Sequence, residues 1–156
     1  MAADMPEKPD GSKVLVVDDN AQNLELLVEH LRSIENCQTL TATDGLEALE
    51  VVAREKPDLI LLDIMMPRMS GYEVCRKLRS DPETRDIPII MVTALNELGD
   101  MERAIQSGTD DFLSKPFNRL ELITRVKSLL KVRHLKDDLE RTLAYLQDVE
   151  TARPGE

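Results

Sequence analysis

Tryptophan is absent from this 156-residue chain, aromatic residues make up only 3% of it, and cysteine occurs twice. With so few rings the core has to be aliphatic, built from valine, isoleucine, leucine and methionine. Cys37 and Cys75 are too few for a disulfide framework and neither sits in a CxxC pair, which points to a reducing cytoplasm. No apolar run approaches the roughly 20 residues of a membrane helix, and the polar first dozen residues, with Pro6, Pro9 and Gly11, show no signal-peptide pattern. Basic charge is scarce as well. Twenty Lys and Arg stand against 30 Asp and Glu, a formal net charge of −10. That balance argues against direct nucleic-acid binding by the whole chain.

What the chain does contain is a regular alternation of apolar runs and helical patterns. Its hydrophobic fraction of 42% is enough for the core of one domain. The β-branched run at 14–17 predicts a buried strand. Asn20 predicts the cap of a helix with Leu24, Leu27, Val28 and Leu31 on one face. A second strand is expected at 38–42. Asp44 and Glu47 have capping-box spacing before a helix whose periodic residues are Leu46, Leu49, Val52 and Ala53, stopped by Pro57. Residues 59–62 read as the third strand. Ser70 and Glu73 form a further capping box, ahead of Tyr72, Val74, Cys75 and Leu78. The fourth strand is expected at 87–92, a weaker helix at 98–106 ending at Gly108, and a short fifth strand at 111–114. Five strands alternating with five helices predict an α/β fold, a doubly wound five-stranded parallel sheet covered on both faces.

Four of the apolar runs end, or nearly end, on residues suited to phosphoryl chemistry: Asp18 and Asp19, Asp63, Thr93 and Lys115. In a parallel sheet these ends share one edge, where open α/β sheets bind ligands. Three carboxylates gathered there repel one another unless a cation sits among them. The pattern therefore predicts a hard divalent metal and a phosphoryl group. Singly, each residue has a blander reading: a loop-capping Asp, a solvated acidic pair, a surface lysine. Their joint occurrence outweighs it.

Asn118 and Glu121 open a last helix that meets no Gly or Pro before Pro154. It is expected to run to about residue 149, on the order of 45 Å. Leu120, Leu122, Ile123, Val126, Leu129 and Leu130 are available to pack on the sheet. Farther on, Val132, Leu139 and Leu146 recur at heptad spacing, with Leu135, Thr142 and Val149 between them. This is a short coiled-coil seam with one polar layer, suited to dimerisation or a signalling linker. Residues 117–156 hold eight Lys or Arg against seven Asp or Glu, so the excess acid lies in the body. The basic stretch at 119–136 reads as a solvated helix face. The expected organisation is a disordered leader over 1–12, a domain over 13–130, a helical extension over 131–150 and a disordered tail over 151–156.

The segments LVVDDN, LLDIMMPRMSGYEVCRKLR, IPIIMVTA and GTDDFLSKPF, in this order, resemble the receiver domain of two-component response regulators, and the resemblance covers the whole domain. MMPRMSGYEVCRKLRSDPETRDIPIIMVTAL, with RVKSLLKVRHL, looks most like the receivers of diguanylate-cyclase regulators. The resemblance implies a flavodoxin-like strand order, 2-1-3-4-5, with an extended C-terminal helix. It implies that Asp63 accepts a phosphoryl group from a histidine kinase or phosphotransfer protein. A carboxylate suits that role because it is ionised at neutral pH and needs no general base. Asp18, Asp19, Asp63 and the backbone carbonyl of Met65 would hold Mg²⁺. Lys115, followed by a cis Lys115–Pro116 peptide, would balance the charge of Asp63 and then of the phosphoryl group. Thr93 would donate its hydroxyl to a phosphoryl oxygen, and small Ala94 would leave access to Asp63. Phe112 stands where the family carries its switch aromatic; without a phenol hydroxyl, it would act by packing alone. Met65 and Leu95, near the water path, have no group to orient an attacking water, which implies slow self-dephosphorylation.

A cytoplasmic signalling switch is thus expected rather than a turnover enzyme. A magnesium-dependent aspartyl phosphatase wants a second Asp two residues after the nucleophile, where Met65 stands. A phosphorylation-independent adaptor usually lacks one of the acid, hydroxyl or lysine positions, and all are present. Too few residues follow the last helix for an effector domain, so the chain is expected to stand alone or to be cut from a longer regulator. The expected partners are the phosphodonor protein, a second copy docked through Val132, Leu135, Leu139, Leu146 and Val149, and a downstream effector or missing output domain. No direct nucleic-acid or membrane partner is expected.

Overall fold

The computed structural model describes residues 11–94 and 98–151. Strands β1 (Ser12–Val17), β2 (Cys37–Ala42), β3 (Leu59–Leu62), β4 (Ile89–Thr93) and β5 (Asp111–Ser114) alternate with helices α1 (Ala21–Leu31), α2 (Gly45–Glu55), α3 (Gly71–Ser80), α4 (Leu98–Ser107) and α5 (Arg119–Thr151). All neighbouring strands are parallel, in the order β2-β1-β3-β4-β5. This is the doubly wound, flavodoxin-like arrangement.

Apolar runs form the central strands because both of their faces are covered. Successive side chains point to opposite faces. Leu15, Val17, Ile60, Leu62, Ile89 and Met91 join one layer with residues of α2, α3 and α4. Val14, Val16, Leu59, Leu61, Ile90 and Val92 join the other with Leu24, Leu27 and Leu31 of α1 and Leu122, Val126 and Leu130 of α5. Each fully buried side chain of this size contributes about 1.5–3 kcal/mol.

Side-chain oxygens start four helices as the sequence pattern suggests. Asn20 accepts from the Asn23 N–H at 3.1 Å, Asp44 from Glu47 at 2.8 Å, Ser70 from Glu73 at 3.3 Å and Asn118 from Glu121 at 2.7 Å. Glu47 reaches back to Thr43 rather than Asp44, accepting from its N–H at 3.2 Å and its hydroxyl at 2.9 Å.

Several expectations need correction. β1 begins at Ser12, inside the expected leader, because the Ser12 N–H donates to the Asn36 carbonyl at 2.7 Å and Ser12 pairs with Cys37. Residues 1–10 and 152–156 lie outside the described residues. β4 begins at Ile89, after Pro88, which has no N–H to give a ladder. α2 turns Ala48, Val51 and Val52 inward, leaving Leu46 54% exposed and Ala53 in solvent. Leu120 is 75% exposed, since it lies about 200° around the helix from buried Leu122.

Arg79 of α3 fastens two connections, the one before β4 and the one before β5. Its Nε donates to the Gly108 carbonyl at 2.8 Å, Nη1 to Ile87 and Arg85 carbonyls at 2.6 and 2.8 Å, and Nη2 to Asp110 at 2.6 Å. The Cys75 thiol donates to the Ser107 carbonyl at 3.1 Å. The C-terminal end of α4 is thus held to α3. α5 is tied to the body by Arg133, whose Nη1 donates to the Asp86 carbonyl at 3.3 Å, and by His134, whose Nε2 lies 2.8 Å from Ser12 Oγ.

Candidate functional site

The candidate residues meet at the C-terminal edge of the sheet. Asp18 follows β1, Asp63 follows β3, Thr93 ends β4 and Lys115 follows β5. Ladder bonds continue past the strand ends and set their heights. The Asp18 N–H donates to the Ala42 carbonyl at 3.2 Å, Asp63 to Val17 at 2.9 Å and Lys115 to Thr93 at 2.7 Å.

Asp18, Asp63 and Thr93 are among the few buried polar residues, whereas Asp19 is exposed. One carboxylate oxygen from each of Asp18, Asp19 and Asp63 lies within 4.8 Å of the others. Asp18 accepts from the Asn20 N–H at 2.9 Å and from Lys115 Nζ at 3.3 Å. The direct ion pair of Lys115 is with Asp18, and its charge also acts on Asp63 through space.

Burial, and then the Asp18 charge, push the Asp63 carboxyl up to about 6; Lys115 and the Met65 N–H oppose the rise and Asp19 adds to it. That N–H donates to Asp63 Oδ1 at 3.4 Å. Three carboxylates face one ammonium, leaving an excess of negative charge on hard oxygen donors. Such a set fits a small divalent cation.

Gly71 is a site residue whose role sequence reasoning missed. Its N–H donates to the Ile64 carbonyl at 2.9 Å. A Cβ there would overlap the Asp63 carbonyl oxygen. The available signal was a glycine at the first helical position, directly after a serine cap, where glycine has no helical advantage.

The Met65 side chain is 64% exposed beside Asp63. Ala94 is exposed. Phe112 is half-buried and packs on the α2–α4 layer. The Lys115–Pro116 peptide is cis. Leu95 lies outside the described residues. A hollow of about 230 Å³ beside Lys115 is lined by Asn23, Leu26, Leu27, Pro116 and Phe117. Far from this edge, Val132, Leu135, Leu139, Leu146 and Val149 are 40–59% exposed along α5, and Leu143, absent from the expected seam, is 52% exposed with them. Among the described residues no helix is long and apolar enough to cross a membrane.

Comparison with known proteins agrees with this architecture. Residues 14–127 match the response regulator receiver domain family. The response regulator PleD of Caulobacter vibrioides is 45% identical over 130 residues, 83% of this chain and 28% of PleD. The response regulator MprA of Mycobacterium leprae is 42% identical over 132 residues, 85% of this chain and 56% of MprA. The chain thus spans roughly a quarter to three fifths of the length of these relatives. Among solved structures, the receiver domain of a signal transduction histidine kinase from Syntrophus aciditrophicus superposes with a TM-score of 0.73 at 36% identity, covering 78% of this chain and 91% of that one. The receiver domain of the sensor histidine kinase PA1611 from Pseudomonas aeruginosa, described with a magnesium ion in its active-site cleft, gives 0.72 at 34% identity, covering 78% and 98%. By sequence and by fold alike, this chain belongs to the response regulator receiver domains of two-component signalling.

Proposed function

We propose that Asp63 is the phosphoacceptor of a cytoplasmic switch, charged by a histidine kinase or a phosphotransfer protein. The observation that carries this reading is the crowding of Asp18, Asp19 and Asp63 at one strand edge, with Lys115 3.3 Å from Asp18. An Asp63 carboxylate oxygen attacks the phosphorus, the bond from phosphorus to the donor nitrogen breaks, and an acyl phosphate forms. Lys115 shifts its share of charge toward the added phosphoryl oxygens, and the Thr93 hydroxyl donates to one of them. That movement frees space for Phe112 to turn inward and repack the face around α4.

Asp18, Asp19, Asp63 and the Met65 carbonyl are the residues that would hold Mg²⁺. When bound, the ion supplies electrostatic screening between the carboxylate and the incoming phosphate. The magnesium described in the PA1611 receiver supports this assignment. The apolar hollow around Leu26, Pro116 and Phe117 offers the donor protein a contact beside Lys115. Met65 argues against a turnover phosphatase, because a thioether two residues after the nucleophile has no proton to exchange. The exposed stripe of α5 supports a second element of the reading, homodimer formation through Val132, Leu135, Leu139, Leu146 and Val149. A downstream effector, or an output domain of a longer chain, then reads the change.

The test is incubation with acetyl phosphate and Mg²⁺, with mass and association state followed together. Wild type is expected to gain one phosphoryl group and Asp63→Ala none. Equal labelling of both proteins would reject the site.

A further inference from the structure

Past His134, whose ring lies against Ser12, α5 presents Leu135, Leu139, Leu143, Leu146 and Val149 to solvent. We propose that a second copy of this chain covers the stripe in the antiparallel sense, so that the two receiver bodies lie at opposite ends of the helix pair. The inference rests on the dimer reading above and adds the direction of pairing.

Both directions bury the central seam, in which Val132, Leu139 and Leu146 hold the a positions and Leu135, Thr142 and Val149 the d positions. The flanking residues decide between them, because e and g side chains set partner orientation in coiled coils. In a parallel pair each g residue meets the partner's e residue five positions on. Lys131 then faces the partner's Lys136, twice by symmetry, and Asp138 faces the partner's Leu143. Like charges meet and an acid is set against an apolar side chain, with Tyr145 facing the partner's Glu150 as the one polar match.

In an antiparallel pair Val132 lies opposite the partner's Val149, Leu135 opposite the partner's Leu146 and Leu139 opposite the partner's Thr142. The e residues now flank e residues. Lys136 meets the partner's Glu150, again twice, and Leu143 meets the partner's Leu143 on the two-fold axis. The 52% exposed leucine that lies off the parallel seam is covered by its own copy. Asp138 comes beside the partner's Tyr145, a hydroxyl donor. Lys131, Lys136 and Glu150 are all exposed, so each is accessible for these contacts.

Charge reversal separates the two directions in the full chain. Lys136→Glu sets like charges together twice in the antiparallel pair and opposite charges together twice in the parallel one. The dimer dissociation constant, measured by sedimentation equilibrium at low salt, is expected to rise about tenfold in Lys136→Glu. Adding Glu150→Lys to that variant is expected to restore it. Tighter association of Lys136→Glu would overturn the antiparallel direction in favour of the parallel one. An unchanged constant would overturn the flank argument. A wild type that stays monomeric throughout would remove the dimer reading itself, and with it this inference. Acetyl phosphate labelling is expected to be equal in all variants, so the phosphoacceptor assignment stands or falls separately.

Discussion

Gly71→Ala is expected to cripple phosphorylation while leaving the protein folded. Gly71 opens α3 with its N–H on the Ile64 carbonyl, directly beneath the loop that carries Asp63. An alanine Cβ would overlap the Asp63 carbonyl oxygen and come within 2.9 Å of Ile64 Cα and 3.0 Å of the Asp63 carbonyl carbon. Carbon atoms in ordinary contact stand about 3.5–4.0 Å apart, so the loop and the helix end must separate by about 0.6–1 Å. All three neighbours are backbone atoms, and no rotamer change relieves the overlap. Overpacking of this kind costs about 1–3 kcal/mol, offset by about 1 kcal/mol from the better helix propensity of alanine. A net stability loss of up to about 2 kcal/mol leaves most of the population folded. Chemistry suffers more, because a misplacement near 1 Å costs on the order of 100-fold in rate. The assay is the initial rate of acetyl phosphate labelling with Mg²⁺, alongside urea unfolding followed by circular dichroism. A folded Gly71→Ala that labels within about twofold of wild type would refute the reasoning, since it would show that the Asp63 loop does not depend on this contact.

Three further outcomes are expected. A carboxyl whose folded pKa is raised, as Asp63's is from 3.8 to about 6, binds its proton more tightly when folded, so the metal-free protein loses stability as pH rises from 4 to 6. Asp63→Asn should remove that slope and raise metal-free stability at pH 7 by on the order of 2–3 kcal/mol; equal urea midpoints for the two proteins at pH 7 would contradict it. Arg79→Ala strands the Gly108 and Ile87 carbonyls and should cost about 2–4 kcal/mol in urea unfolding, with a loss under 0.5 kcal/mol speaking against the clamp. The phosphorylated wild type should lose phosphate with a half-life of minutes or longer and Met65→Asn several-fold faster, because an amide can orient water; seconds-scale decay of wild type in a phosphate-release assay would sink this.

Much of the fold can be read before any coordinates, for identifiable reasons. β3 and β5 fall at the expected residues because an apolar run between polar breaks leaves little freedom in strand position. The convergence of Asp18, Asp63, Thr93 and Lys115 follows once the runs are parallel, because register aligns their ends. What escaped depends on neighbours in space. Ser12 joins the sheet through a carbonyl offered by Asn36, which no run of apolar residues announces. Leu49 and Val52 of α2 do pack on the core, whereas Leu46 and Ala53 fall outside the buried stripe because two stripes of that helix are almost equally apolar. Gly71 looked like part of a capping box, and only the close approach of the Asp63 loop gives it a reason to be glycine.

The unbroken length of α5 gives the molecule mechanical gain. Thirty-three residues make a rod about 50 Å long, of which about 25 Å lies past His134. The ties at Arg133 and His134 form the fulcrum, and the turns carrying Leu122, Val126 and Leu130 form the short arm inside the body. A tilt of about 5° at that fulcrum swings the far tip by about 2 Å, more than the rise of one helical residue. Repacking too small to alter the receiver's outline is thereby magnified at the end of the rod, where a second copy or a following domain would feel it as a change of position.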